Sequence, residues 1–342
     1  MLHFQGSRSE FGQFYGQQLH DNGHDFYREI PNDATYSRQL HLYQKFYPEL
    51  ISERLAAAEV LGLDPQFLFY EDFASFVDAA RRRANPHTHG CTIFALHENN
   101  KTYVGRNYDW LPEAREFFEQ YELNITGANR YFAFSDESVW RRHTGKNTRK
   151  FYAEDAINEY GLYIGITYSH INKWNYGLSP SHLIRYIAEK CRTTRQALNV
   201  FNRIPCAVPK NFLIADAKGN LAVVEHSSRT HAIVKPDLNG VLVKTNHILS
   251  PRLIGQDQVL IHNEKSSSFV RFAEANFLIS QQLPNYNFTD TAKILRNSHY
   301  VYNHETIWSL ALELSEQRFN LYYDTALGQK QTKFSFNTSS KS

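Results

Sequence analysis

Residues 90–110 read GCTIFALHENNKTYVGRNYDW, and the rest of the chain can be interpreted outward from this stretch. Its pattern predicts a β-hairpin in which Cys91 begins the first strand, while Arg106 and Asp109 come at the end of the second. The hairpin would return the arginine and the aspartate to the side of the cysteine. Cleavage between Gly90 and Cys91 would give this cysteine a terminal α-amine with a pKa of about 8, able to act as base for its own thiol. The stretch therefore predicts a precursor that cleavage activates.

Composition restricts the class of protein. The chain has 342 residues, of which 42% are hydrophobic and 14% aromatic, so it can bury a large core in one or two domains. A net charge of +2 gives no electrostatic footprint for nucleic acid. No window reaches the roughly 18 apolar residues of a membrane span, and three cysteines do not suggest a disulfide framework. We expect a soluble, cytoplasmic protein with free thiols.

The hydrophobic periodicity changes at Cys91. Residues 36–83 have a helical pattern, and residues 84–90 resemble an irregular linker. One predicted apolar face combines the alanine run at residues 56–58 with Leu55, Val60, Leu61 and Leu63. After the linker, short strand patterns joined by turns alternate with helical patterns. Because the strands come as hairpins rather than as parallel crossovers, they favour antiparallel sheets covered by helices, an α+β fold.

The two ends of the chain are interpreted separately. The opening residues 2–7 resemble what a protease-cleavable tag leaves behind. Residues 337–342 form a polar tail that has nothing to bury. We assign no function to either end.

Five motifs occur in an order and at a spacing that resemble one family of enzymes. They are Gly90-Cys91-Thr92, Gly105-Arg106-Asn107-x-Asp109-Trp110, Asn158-Glu159-x-Gly161-Leu162, Thr245-Asn246-His247 and Ser268-Phe269-Val270-Arg271. The family is the acyl-coenzyme A:6-aminopenicillanate (isopenicillin-N) acyltransferase-like branch of the cysteine N-terminal-nucleophile hydrolases, with bile-salt hydrolases and penicillin V acylases as more distant relatives. Gly6-Ser7-x-x-Glu10-x-Gly12-x-x-x-Gly16 also resembles the start of that family's propeptide, so the opening residues are native in this alternative.

The resemblance implies a four-layer αββα sandwich of two mostly antiparallel sheets, preceded by a helical segment. Residues 1–90 would be a helical propeptide or small subunit, cleaved at Gly90-Cys91, and would stay packed on the core as a partner. Residues 91–336 would form the catalytic core, and residues 337–342 a disordered tail.

The resemblance also implies a role for each site residue. Cys91 would be the nucleophile, and Asp109 would accept a hydrogen bond from its freed α-amine. Arg106 would favour the thiolate over the thiol. The Asn246 side chain would donate to the oxyanion of the tetrahedral intermediate, where one donor is worth roughly 3 kcal/mol. Arg271 would be a supporting cation near the nucleophile.

Two further assignments follow from the resemblance. Tyr168 would contact the oxyanion or the substrate through its side chain or its backbone, and a register one residue earlier would give this role to Thr167. Self-cleavage would use the same nucleophile, because Gly90 has no side chain to obstruct attack by the Cys91 thiol on its carbonyl.

The implied substrate is an acylated small molecule with an amide or thioester bond, and acyl-CoA is a candidate acyl donor. Water would make the enzyme a hydrolase and an amine would make it an acyltransferase, and the residues favour neither. We expect no cofactor, nucleic acid or membrane partner. His87 and His89 could be drawn with Cys91 as a metal site, but cleavage would separate them from it, so we expect no metal.

Two other classes of function stay open. One is a cysteine hydrolase that never cleaves itself and takes its base from His170, His226 or His247. The other is a catalytically silent member that binds an acylated small molecule or a partner through the same pocket.

Overall fold

The computed structural model describes residues 1–26, 29–30, 34–77, 90–136, 139–141, 146–262, 266–325 and 328–336. Four parts of the sequence interpretation lie outside the described residues: the helix end at Arg81-Arg82-Arg83, the linker at residues 84–89, the histidines His87 and His89, and the tail at residues 337–342.

The described part of the chain before Cys91 is mostly helical. It contains β1 (Leu2–Gly6), α1 (Arg8–Asp21), α2 (Ala34–Phe46), α3 (Pro48–Leu61) and α4 (Pro65–Phe73). Ser7 and Glu10 form a reciprocal capping box at the start of α1, which satisfies two backbone N–H groups. The opening residues therefore take part in the fold. The choice between the remains of a tag and a native Gly6-Ser7 stays a prediction from the sequence.

Helices α1 and α3 approach each other through their backbones. A Cβ atom on Gly12 would lie 2.2 Å from the carbonyl oxygen of Glu53, so only glycine fits there. The side chains that α3 buries nearby are small, Ala56 and Ala57 among them. The predicted apolar face of this helix is wrong at Leu55 and Val60, which are 42% and 36% exposed, but its alanine run at residues 56–58 is buried as predicted. The close approach of the two backbones favours the alanines over the larger residues.

Two sheets form the body of the molecule. After β1, the strands are β2 (Thr92–Glu98), β3 (Lys101–Asp109), β4 (Glu119–Ile125), β5 (Tyr131–Ser135), β6 (Val139–Arg141), β7 (Lys146–Thr148), β8 (Asp155–Asn158), β9 (Tyr163–Tyr168), β10 (Lys210–Ala215), β11 (Leu221–His226), β12 (His231–Val234), β13 (Val241–Lys244), β14 (Thr306–Glu313), β15 (Arg318–Thr325) and β16 (Gly328–Phe334). The first sheet has the order β1-β4-β5-β8-β9-β10-β11-β12, and the second has the order β13-β2-β3-β14-β15-β16. Strands β6 and β7 pair with each other in a separate small sheet. All neighbouring strands described in the two sheets run antiparallel except β1, which pairs in parallel with β4.

The two sheets pack face to face over an apolar core. Ile93 and Leu310 of the second sheet meet Tyr163 and Leu213 of the first in this core. The remaining helices are α5 (Pro180–Lys190), α6 (Thr194–Phe201), α7 (Gln258–Ile261), α8 (Ser268–Ser280) and α9 (Phe288–Asn297). Helices α1, α3 and α5 cover the outer face of the first sheet, while α8 and α9 cover the second. The αββα sandwich with a helical N-terminal segment is thus confirmed. Within the described ranges, no helix has the length and apolarity needed to cross a membrane.

The contact between α1 and α3 gives a stability prediction. Gly12→Ala should lower the free energy of unfolding by about 1–3 kcal/mol, because the added methyl group must displace the α3 backbone. Alanine has a higher helix propensity than glycine, so the substitution would raise the free energy of unfolding if the two helices were loosely packed. The matched control is Gln13→Ala at an exposed position of the same helix. Urea denaturation of both variants measures the difference, and a Gly12→Ala protein as stable as the control would contradict the packing.

Candidate active site

The β2–β3 hairpin positions the predicted nucleophile. Cys91 directly precedes β2, and the pairing of Thr92 with Asn107 and of Ile93 with Arg106 brings the end of β3 level with it. The Cys91 side chain is buried in the core between the sheets, with Sγ 4.0 Å from the carbonyl oxygen of Asp109. The hairpin predicted from residues 90–110 is therefore present, and it gathers three of the predicted site residues.

Arg106 is a buried cation between the two sheets. It belongs to β3 of the second sheet, but its Nε donates to both carboxylate oxygens of Asp155 on β8 of the first sheet, at 3.0 and 3.1 Å. Its Nη2 donates to the carbonyl oxygen of Ile166 at 2.9 Å. Tyr163 and Trp308 also donate to Asp155, at 2.6 and 3.0 Å. The guanidinium group is thereby fixed close enough to Cys91 to lower the pKa of its thiol.

The surroundings of Cys91 decide its protonation. Burial raises the pKa of the thiol above its ordinary value of 9.0, the Arg106 guanidinium opposes this, and the Asp109 carboxylate raises the pKa further. In the continuous chain the thiol is therefore protonated at neutral pH. It needs a base before it can act as a nucleophile.

Asp109 is held by two neutral donors. Its Oδ1 accepts a hydrogen bond from Thr306 Oγ1 at 2.7 Å, and its Oδ2 accepts one from Asn303 Nδ2 at 3.1 Å. Burial raises the pKa of the Asp109 carboxyl to about 6, while Arg271 and the two hydrogen bonds oppose the rise. The carboxylate is thus positioned beside Cys91 while remaining responsive to mildly acidic pH.

Asn246 and Arg271 contact Gly90 and Cys91, the two residues that flank the predicted cleavage site. The Asn246 side chain lies against Gly90 so closely that a Cβ atom on Gly90 would come within 2.1–2.5 Å of its amide group. Its Nδ2 donates to the carbonyl oxygen of Tyr168 at 3.1 Å, and its Oδ1 accepts from Arg271 Nη2 at 2.8 Å. Arg271 Nη1 also donates to the Cys91 carbonyl oxygen. Arg271 therefore fixes the amide so that its N–H₂ group points away from the guanidinium.

Tyr168 and Thr167 take different positions. Tyr168 contacts Asn246 through its backbone carbonyl, and its ring faces Trp110 at 6.3 Å between centroids. The Thr167 hydroxyl donates to the carbonyl oxygen of Thr245 at 2.7 Å and accepts a hydrogen bond from Asn211 Nδ2 at 3.0 Å. Sequence reasoning did not identify Asn211 or Asp155, because neither lies in a recognisable motif and both reach the site through sheet pairing.

A cleft of about 650 Å³ opens beside Trp110 and Tyr168. Its walls combine apolar residues that follow β3, such as Leu111 and Phe117, with polar groups from the segment before β8 and from the loop after β9. Phe76 of the N-terminal segment contributes to one wall. The volume suits a small organic molecule.

The three histidines considered as alternative bases have other partners. His247 Nδ1 is 2.8 Å from Ser268 Oγ, and His226 Nδ1 accepts from the Ser228 N–H at 2.9 Å. His170 lies 3.4 Å from Asp257. Across the part of the chain that the structure describes, no histidine makes a hydrogen bond to Cys91. The same described residues contain no group of three or more histidine, cysteine, aspartate or glutamate side chains that could hold a metal ion.

Comparison with known protein families matches residues 96–326 to acyl-coenzyme A:6-aminopenicillanic acid acyl-transferase. The match covers more than half of the chain and includes Arg106, Asp109, Asn246 and Arg271. The chain belongs to this family. Comparison with curated protein sequences gives no significant match.

Three solved structures illustrate what the fold is similar to. A Caenorhabditis elegans orthologue of N-acylethanolamine-hydrolyzing acid amidase has a TM-score of 0.48 and 15% identity, over 66% of this chain and 93% of its own. Penicillin V acylase from Agrobacterium tumefaciens has a TM-score of 0.48 and 15% identity, over 72% and 86%. A mutant conjugated bile acid hydrolase from Clostridium perfringens has a TM-score of 0.49 and 14% identity, over 73% and 93%.

The raised pKa of Asp109 gives a pH-dependence prediction. Because the carboxyl titrates near pH 6 in the folded chain and near 3.8 when unfolded, the unfolded chain ionises first and stability falls as pH rises from about 4 to about 6. In a Cys91→Ala background, the free energy of unfolding should fall over this interval relative to Cys91→Ala with Asp109→Asn. The difference is at most about 3 kcal/mol. Denaturation curves at several pH values measure it, and parallel pH dependence of the two proteins would contradict a buried, protonated Asp109.

Proposed function

We propose that this chain is the precursor of a self-processing amidohydrolase or acyltransferase with Cys91 as N-terminal nucleophile. The observation that carries the proposal is the convergence of three side chains on Gly90 and Cys91. The Asn246 amide lies against Gly90, Arg271 donates to the Cys91 carbonyl oxygen, which belongs to the peptide bond with Thr92, and Arg106 lies close enough to the thiol to oppose the rise of its pKa. The residues on both sides of the proposed cleavage site are thus held by side chains from other parts of the chain.

Self-cleavage would proceed through a thioester on the cysteine. The Cys91 sulfur attacks the Gly90 carbonyl carbon, the C–N bond breaks, and the thiol proton passes to the nitrogen, which becomes the α-amine. Water then hydrolyses the thioester, which leaves a carboxylate on Gly90 and a thiol on Cys91. The absence of a side chain at residue 90 keeps the Asn246 amide close enough to stabilise the oxyanion of this step.

The catalytic cycle would then use the same groups on an external acyl amide. The α-amine takes the proton of the Cys91 thiol, and the thiolate attacks the substrate carbonyl to form a thioester as the amine leaves with a proton. Arg106 would favour the thiolate, and Asp109 would hold the α-amine. Water or an acceptor amine resolves the thioester.

Asn246 has the capacity for the oxyanion role. A side-chain amide has two N–H donors, and one of them is used on the Tyr168 carbonyl oxygen. The other remains for an oxyanion. Arg271 holds the amide oxygen at 2.8 Å and so prevents the group from flipping, which would present an acceptor to the oxyanion instead.

The N-terminal fragment would remain bound after cleavage. Glu53 of α3 and Arg185 of α5 form a fully buried ion pair, with hydrogen bonds of 3.1 and 2.9 Å. Arg8 of α1 adds hydrogen bonds to Glu189 of α5 at 3.2 and 2.8 Å. Separation of the fragment would leave these buried charges without partners, which is strongly unfavourable.

The substrate would be an acylated small molecule that occupies the cleft beside Trp110 and Tyr168. The family name supports a small-molecule acyl donor, with acyl-CoA as a candidate. A location in the cytoplasm and the choice between water and an amine as acceptor stay predictions from the sequence.

The first experiment is the intact mass of freshly expressed protein beside Cys91→Ala. The wild-type chain of 39.8 kDa should give two fragments. Their masses should be roughly 10 and 30 kDa from chain length. The larger fragment should begin at Cys91, and Cys91→Ala should stay uncut. A single uncut mass for both proteins would contradict self-processing and favour an unprocessed hydrolase or a binding protein.

The packing at Gly90 gives a second prediction. Gly90→Ala should slow self-cleavage at least about 10-fold, since the methyl group would displace the Asn246 amide and misplacement of about 1 Å can cost 100-fold in rate. The matched control is Gly255→Ala, because a Cβ atom there meets no other atom within 4 Å. Gel analysis of cleavage over time compares the two variants. Equal cleavage in both would show that Asn246 is not needed at residue 90.

A further inference from the structure

The loop that carries Asn246 is held by side chains rather than by another strand. It spans residues 245–250, directly after β13. Five consecutive backbone N–H groups of this loop donate to three side chains. Asn246 and His247 donate to Ser268 Oγ at 2.9 and 3.0 Å, Ile248 donates to Asp257 Oδ2 at 2.8 Å, and Leu249 and Ser250 donate to the two oxygens of Glu225 at 2.7 and 2.9 Å.

Glu225 has a second, charged partner. Lys244 is the last residue of β13 in the second sheet, and its Nζ donates both to Glu225 on β11 of the first sheet and to the carbonyl oxygen of His247. Both side chains of the pair are buried, at 0% and 1% exposure. The pair therefore joins the two sheets and binds the loop at three residues that follow Asn246, namely His247, Leu249 and Ser250.

A buried ion pair is a poor way to gain stability, because desolvation offsets most of the attraction. Its better-attested use is to select one arrangement among several. Here the arrangement that it selects is the path of the backbone through residues 245–250. The Asn246 side chain has little freedom of its own, since Arg271 and the Tyr168 carbonyl hold its two ends. The remaining variable is where the backbone places it.

We propose that the Glu225–Lys244 pair is a positioning device for the Asn246 oxyanion donor. This inference rests on the proposed function of Asn246. Neither residue touches Cys91 or Gly90 in the described contacts, and neither belongs to the five motifs of the sequence. Each acts through the backbone of the loop, so its removal should impair the step that needs the oxyanion donor and spare the reactivity of the thiol.

Two reagents separate these effects on the cleaved protein. Acylation by 4-nitrophenyl acetate passes through an oxyanion, and its rate is read from 4-nitrophenolate release above a Cys91→Ala background. Alkylation by iodoacetamide needs the thiolate but forms no oxyanion, and its rate is read from the mass of the peptide that begins at Cys91. That peptide arises only from cleaved chains, so slow self-cleavage of a variant does not distort the measurement.

The variants are Glu225→Gln, Lys244→Met and the two combined, which removes both buried charges together and so protects the fold. We expect the ratio of acylation rate to alkylation rate to fall about 10-fold or more in each. The matched control is Glu189→Gln, which neutralises a carboxylate of equal burial in the cluster with Arg8 and Arg185. It should lower the melting temperature and leave the ratio unchanged.

The outcomes separate this inference from the proposed function. If the wild-type protein is cleaved and acylated, but the pair variants keep its ratio or Glu189→Gln lowers the ratio equally, the positioning role is wrong and the proposed function stands. If the wild-type protein is neither cleaved nor acylated at Cys91, the proposed function fails and this inference fails with it.

Discussion

The buried guanidinium group of Arg106 is the constraint on which the arrangement of the two sheets depends. A charge enclosed by the core of a sandwich is tolerated only when hydrogen bonds replace its water, and here the first sheet supplies them through Asp155 and the Ile166 carbonyl oxygen. The arginine itself belongs to the second sheet. The two sheets are thus fixed relative to each other at the point where Cys91 lies, and the hairpin register fixes Cys91 relative to the arginine.

The second constraint is the contact between the Asn246 amide and Gly90. It brings an element that follows β13 against the residue that precedes β2, although more than 150 positions separate them. Arg271 on α8 closes the arrangement because it binds both the Asn246 amide oxygen and the Cys91 carbonyl oxygen. Gly90 and the Cys91 carbonyl oxygen are therefore held by side chains from two distant parts of the chain, which belongs to a family of acyl-transferases.

The sequence carries the local part of this arrangement. The hairpin of residues 90–110 was predictable because alternation and turn residues specify strand pairing over short distances. The positions of Asn246 and Arg271 became interpretable only through the resemblance of their motifs. Asp155, Asn211 and Glu225 could not be identified, since their partners are set by sheet order and by burial rather than by spacing. For the same reason Leu55 and Val60 were wrongly placed on the buried face of α3, although the alanine run predicted there does pack against glycines of α1.

The central claim is that cleavage supplies the base that the buried thiol lacks. The direct test is the pH dependence of Cys91 alkylation by iodoacetamide. It is measured by peptide mass on the cleaved wild-type protein and on those Gly90→Ala molecules that are still uncut. The account predicts that the cleaved protein reacts at neutral pH, with a midpoint at or below about 8 as the α-amine takes the thiol proton. It also predicts that the midpoint of the pH profile lies above 9 for the uncut chain, because burial raises the pKa of its thiol above the ordinary value of 9.0. The same profile in both proteins would contradict a base that cleavage creates.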